Sequence, residues 1–269
     1  MIRHRSQIRI IALIVTALST AFFGIAQTDL ESLLARLDGP LGNVLFRLEE
    51  RPADARTIPA LRSAFERKTA KEDRQQIAAT LMRLGDRSGR YFEFLAGYVK
   101  TAVEDRTPLW EKFDQQGRWL RGQFSAEFEN WCAQNHQNPQ EIAAVQFMVY
   151  PKDVKLLAEV DDLRSLSLFR RGLESPNPGV IAYAVEGLAR LNDVSAIPMI
   201  SASAERIPPG ERTVIAAQLP WYSRPEADLL FERLIPDRAG QDHLRNTVRT
   251  LRALELKRVL SRSGRAIPE

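Results

Sequence analysis

The stretch LSLFRRGLESPNPGVIAYAVEGLARLNDVSAIPMISASAERIPPGERTVIAAQLPWY, running from Leu166 to Tyr222, carries the same apolar pattern twice. Leu166, Phe169 and Leu173 are spaced i, i+3, i+7, and Ala184, Leu188 and Leu191 follow at i, i+4, i+7. Ile197, Ile200 and Ala204, then Ile215, Leu219 and Tyr222, repeat both spacings at an offset of 31 residues (Leu166 to Ile197, Leu191 to Tyr222). Each spacing puts its members on one face of a helix. A paired pattern recurring at this period predicts helical hairpins, each of which needs a neighbour to cover its apolar face.

Working outward, Ile58, Leu61 and Phe65 followed by Ile77, Leu81 and Leu84 form a third clear unit. An abbreviated unit precedes it, with Leu30, Leu33 and Leu37, then Leu41, Leu45 and Leu48, and Gly39-Pro40 forcing the turn between them. Towards the C-terminus, Ala227, Leu230 and Leu234 pair with Leu244, Val248 and Leu251. Residues 261–269 lack a stripe and read as a tail.

The centre departs from the pattern. Tyr91, Phe92, Leu95, Tyr98 and Val99 predict a helix, but residues 104–138 hold Trp110, Phe113, Trp119, Phe124, Phe128 and Trp131 without the repeat spacing. Thr107-Pro108 and Asn138-Pro139-Gln140-Glu141 are helix-start signals. Ile142, Val145 and Val149, then Leu156, Val160 and Leu163, resume the two spacings.

The chain of 269 residues is 44% hydrophobic and 27% charged, enough for a sizeable core. Arg3, Arg5 and Arg9 precede an uncharged, mostly apolar run from Ile10 to Ala26, ending in small residues. That order fits an export signal over residues 1–26, with the mature chain beginning near Gln27; a retained anchor is the alternative reading of the same run. Without those three arginines the balance is 35 basic against 34 acidic residues. A near-neutral mature chain lacks the basic excess of a nucleic-acid binder. The single cysteine, Cys132, excludes an intramolecular disulfide.

Pro in the first helix (Thr57-Ile58-Pro59-Ala60-Leu61 and Ala196-Ile197-Pro198) and the endings Leu81-Met82-Arg83-Leu84-Gly85-Asp86 and Leu188-Ala189-Arg190-Leu191-Asn192-Asp193 resemble HEAT repeats. The resemblance implies an all-α fold, an α/α superhelix of antiparallel helix pairs, and a protein or peptide partner with no cofactor. Gly85 and Asn192 suit a left-handed helix cap. The unit ending Leu219-Pro220-Trp221-Tyr222 departs from the Leu-Gly-Asp form.

No phosphate-binding loop, zinc-type Cys/His cluster or nucleophile elbow occurs. Cys132 and His136, at i, i+4, are the one pair that would support an enzyme, through an imidazole-activated thiol. The first expectation is instead an exported, periplasmic or secreted, non-enzymatic scaffold without stable membrane insertion after cleavage. Aligning the clear units sets Gln76 with Tyr183, and Arg83 with Arg190 and Trp221, outside the apolar stripes. With Tyr222, which also occupies a stripe position, these six are the candidate partner-binding residues.

Overall fold

The computed structural model describes residues 30–106, 133–134, 151–207 and 212–262. The leader reading, the aromatic run from Trp110 to Trp131, Cys132, His136, the cap at Asn138 and the Ile142 to Val149 stripe lie outside the described residues.

Twelve α-helices and no strands occur among the described residues. They follow one another as α1 (Leu30–Ala35) and α2 (Val44–Glu50), α3 (Thr57–Arg67) and α4 (Lys71–Arg83), α5 (Gly89–Glu104) and α6 (Lys152–Ala158). Then come α7 (Leu166–Gly172) and α8 (Pro178–Arg190), α9 (Ile197–Arg206) and α10 (Arg212–Ala216), α11 (Pro225–Leu234) and α12 (Arg238–Arg262). The last helix thus enters the stretch read from sequence as a tail.

The stripes are what these helices bury. Leu61, Phe65, Ile77, Leu81, Phe169, Leu173, Ala184, Leu188, Ile200, Ala204, Ile215 and Leu219 are all in the core, as are Leu33, Leu37, Leu45 and Leu48 of the first hairpin. Each large side chain removed from water contributes roughly 1.5–3 kcal/mol. One contact is closer than side-chain packing allows: a Cβ on Gly187 would stand 2.4 Å from the Phe169 ring, so α7 and α8 meet there with glycine as the only fit.

Local chemistry sets the boundaries. At the start of α8, Asn177 Oδ1 accepts from the Gly179 N–H at 2.9 Å and Pro178 fills the first turn, where its missing donor costs nothing. At the end of α4, Gly85 adopts φ 99° and donates to Met82 O, while Asp86 N–H donates to Leu81 O. Asn192, at φ 55°, repeats this after α8, with bonds from Asn192 to Ala189 O and from Asp193 to Leu188 O. This double bond satisfies carbonyls the helix end would leave open. Asp161, after α6, takes the same left-handed conformation, which the sequence did not signal.

The aspartate following each of two caps then ties its hairpin together. Asp86 pairs with Arg62 Nε of α3 at 2.8 Å, and Asp193 with Arg170 Nε of α7 at 2.8 Å.

Successive second helices pack on one another in a row, and two neighbouring pairs of first helices do the same beside it. In the second-helix row α2 packs on α4, α4 on α6, α6 on α8 and α8 on α10. In the other row α5 packs on α7 and α9 on α11, and the rows are joined by α3 on α4, α5 on α6 and α7 on α8. Although separated in sequence, α5 lies directly against α6.

Two expected stripe positions are corrected. Leu163 is 68% exposed because α6 ends at Ala158, and Leu251 is 43% exposed because α12 leaves its own hairpin. Beyond Val248, α12 runs across the second-helix row to reach α2. No helix among the described residues is long and apolar enough to cross a membrane.

Candidate functional site

Of the six residues singled out from the sequence, Gln76 is exposed on α4 and Tyr183 is half-buried against the core of α8. The other four are drawn inward. Arg83, at the end of α4, pairs with Glu49 at 2.7 Å and Glu159 at 3.4 Å. Arg190, at the end of α8, has a side chain only 6% exposed. Trp221 and Tyr222 are buried, and the Tyr222 hydroxyl donates to Asp193 O at 3.1 Å. The expectation that Arg190 and Trp221 lie outside the buried set is thus corrected. Part of the physical reason is α12, whose Glu255 pairs with Arg190 and whose Arg252 donates to the Trp221 carbonyl.

Arg190 is the centre of the arrangement. Its Nε donates to Glu186 at 2.9 Å, and its two terminal nitrogens fork onto Glu255 of α12 at 3.1 and 2.6 Å. Asp161 stands 3.8 Å away, and the guanidinium carbon lies 4.0 Å from the centroid of the Trp221 ring. A planar fork over an indole face combines bidentate pairing with a cation–π contact that an ammonium group would not reproduce.

Burial sets the electrostatics. Burial pushes the Glu186 carboxyl above the ordinary carboxylate range, opposed by the Arg190 charge. For Arg190, burial works against the charged form, yet hydrogen bonding to Glu255 and the charge of Glu186 outweigh it and hold the group firmly protonated. Glu49, 3% exposed, is compensated by Thr80 Oγ1 at 2.8 Å, Arg83 and, at 3.9 Å, Arg258 of α12. Buried carboxylates of this kind persist only where such partners are complete.

Beside Arg190 opens a cleft of about 420 Å3, lined by Asp161, Arg190, Trp221, Arg224, Arg252 and Glu255 among others. Its walls come from the turn after α6, the end of α8, the turn around Leu219–Trp221 and the middle of α12. Arg252 reaches it by donating to Ser223 Oγ at 3.1 Å and to the Trp221 carbonyl. Burial, with repulsion from Arg190, lowers the proton affinity of Arg252.

Guanidinium donors around an open polar cleft suit anion recognition. Among the described residues no three His, Cys, Asp or Glu side chains group as a metal site. The enzyme reading depends on Cys132 and His136, which lie outside them.

Sequence reasoning missed Arg224, Arg252 and Glu255. Asp161 and Glu255 belong to no stripe, and the cleft joins four separated segments. The aspartates after the caps left a readable signal, the repeated position of Asp86 and Asp193. Comparison of the chain with family models, with curated proteins and with solved structures finds no match.

Proposed function

We propose that this chain is an exported, non-enzymatic scaffold, an α-solenoid of HEAT-like helix pairs that binds a protein or peptide along its second-helix row. The observation that carries this reading is the continuous packing of α2, α4, α6, α8 and α10, each on the next. A row of stacked helix pairs offers an extended surface, which is the usual use of such architectures. Gln76 and Arg224 are its exposed side chains of interest, while Arg83, Arg190, Trp221 and Tyr222 shape the surface from within.

A photo-crosslinking amino acid placed at Gln76 in the native host tests it. A discrete protein adduct that persists in the Cys132→Ala variant is expected. Absence of any adduct, or its loss on replacing Cys132, overturns the reading.

A further inference from the structure

The cleft beside Arg190 already holds one carboxylate–guanidinium pair. Glu255 presents a carboxylate edge-on to the Arg190 fork, with the guanidinium laid over Trp221. Next to this filled position stand two arginines, Arg224 and Arg252, that form no ion pair among the described residues. Arg224 Nε donates to Asn192 Oδ1 at 3.2 Å, and among the described residues its terminal nitrogens meet no carboxylate. Arg252 spends its terminal nitrogens on Ser223 Oγ and the Trp221 carbonyl, both neutral acceptors, and forms no ion pair among the described residues.

We propose that this cleft takes a carboxylate of an acidic peptide segment, held by Arg224 and Arg252 beside Trp221. The assignment rests on the scaffold reading and names the chemistry of its partner.

Three features select this ligand. The open space of about 420 Å3 admits a side chain with its flanking backbone, within the range of ligand clefts. The acids that face it, Asp161 and Glu255, both lie against Arg190, at 3.8 and 2.6 Å, so the positive excess falls on Arg224 and Arg252. Arg190 is matched by Glu186, Glu255 and Asp161, whereas Arg224 and Arg252 hydrogen-bond only neutral acceptors, so an incoming anion is met by those two. The hydrogen bonds to Asn192, Ser223 and Trp221 fix both guanidinium groups beforehand, so little side-chain freedom is lost on binding.

Calorimetric titration of the purified chain with N-acetylated, C-amidated hexaglutamate tests the assignment, with hexaglutamine and inorganic phosphate as comparison probes. Saturable binding of hexaglutamate to one site is expected, weakened at least tenfold by Arg224→Gln and by Arg252→Gln and unchanged by Arg36→Gln, which alters an exposed arginine of the first hairpin. Arg224 is exposed, so its variant keeps the native melting temperature and isolates binding from folding. Equal binding of hexaglutamine or phosphate, unchanged affinity in both cleft variants, or no binding at all overturns it. If hexaglutamate fails to bind while the Gln76 adduct still forms, the cleft assignment falls and the scaffold reading stands. Binding without the adduct shows the reverse.

Discussion

The Arg190 guanidinium lies 4.0 Å from the centroid of the Trp221 ring and grips Glu255 on its far edge, so the indole is clamped beneath an ion pair. Trp221 is 5% exposed. Trp221→Ala is therefore expected to cost about 3–5 kcal/mol, as large aromatic truncations in packed sites do. Urea denaturation of the variant measures this; a loss under about 1 kcal/mol would mean the ring is a surface group.

Leu188 sits fully buried on α8, between neighbouring helices of both rows. Leu188→Ala should lose about 2–5 kcal/mol through lost transfer energy and the cavity left behind. The midpoint of a guanidinium melt reports it, and an unchanged slope would show that the denatured state is unaltered.

Two helical glycines give opposite expectations. At Gly187 an added methyl strikes the Phe169 ring, so Gly187→Ala is expected to cost about 1–3 kcal/mol. At Gly97 nothing lies within 4 Å of the added Cβ, and Gly97→Ala should gain about 0.5–1 kcal/mol from reduced backbone freedom in the unfolded chain. Thermal melts of both variants suffice; a stabilised Gly187→Ala would contradict the α7–α8 contact.

Hydrogen bonding from Arg170 holds the Asp193 carboxyl below its ordinary value of 3.8. The folded state therefore favours the ionised form, and the stabilisation is present above the unfolded value and lost as pH falls through the folded one. At pH 7, Asp193→Asn should be less stable than the parent by about 1–3 kcal/mol, a gap that narrows below about pH 4. Melting both proteins across that range reads the difference, and a gap that widens in acid would reverse the assigned sign.

The distal half of α12 is held mainly by charged groups, Arg252 on the Trp221 carbonyl, Glu255 on Arg190 and Arg258 over Phe46, while Leu254, Leu256 and Val259 stay exposed. Glu255→Gln should lower the opening free energy of residues 251–262 by about 1.5–3 kcal/mol. Hydrogen exchange would then be at least tenfold faster there, and raising the salt concentration should act in the same direction. Unchanged exchange would show that Glu255 does not hold the helix.

The hairpins were legible because burial and periodicity are one fact: Leu61, Leu81, Leu188 and Ile200 could face only inward. Gly85 and Asn192 were legible because the left-handed cap is a property of the residue itself. Arg190 and Trp221 were misread because a position outside the local stripe was taken to face solvent. What covers them arrives from α12, and the groups it brings, Glu255 and Arg258, are charged and carry no apolar signal. Leu251 failed for the same reason, since its spacing matched a hairpin that α12 had already left. The cleft was hidden because it exists only where Asp161, Arg190, Arg224 and Arg252 converge from distant segments.

The contact of α12 with α2 joins the last helix pair to the first. An open stack communicates only between nearest neighbours and can melt from either end, one unit at a time. Here Arg258 of α12 stands 3.9 Å from Glu49 of α2, so the first and last described helix pairs bear on each other. That contact joins distant parts of the described chain, and closing so long a loop carries an entropic cost. In return, release of distal α12 is expected to loosen the first hairpin as well as the last.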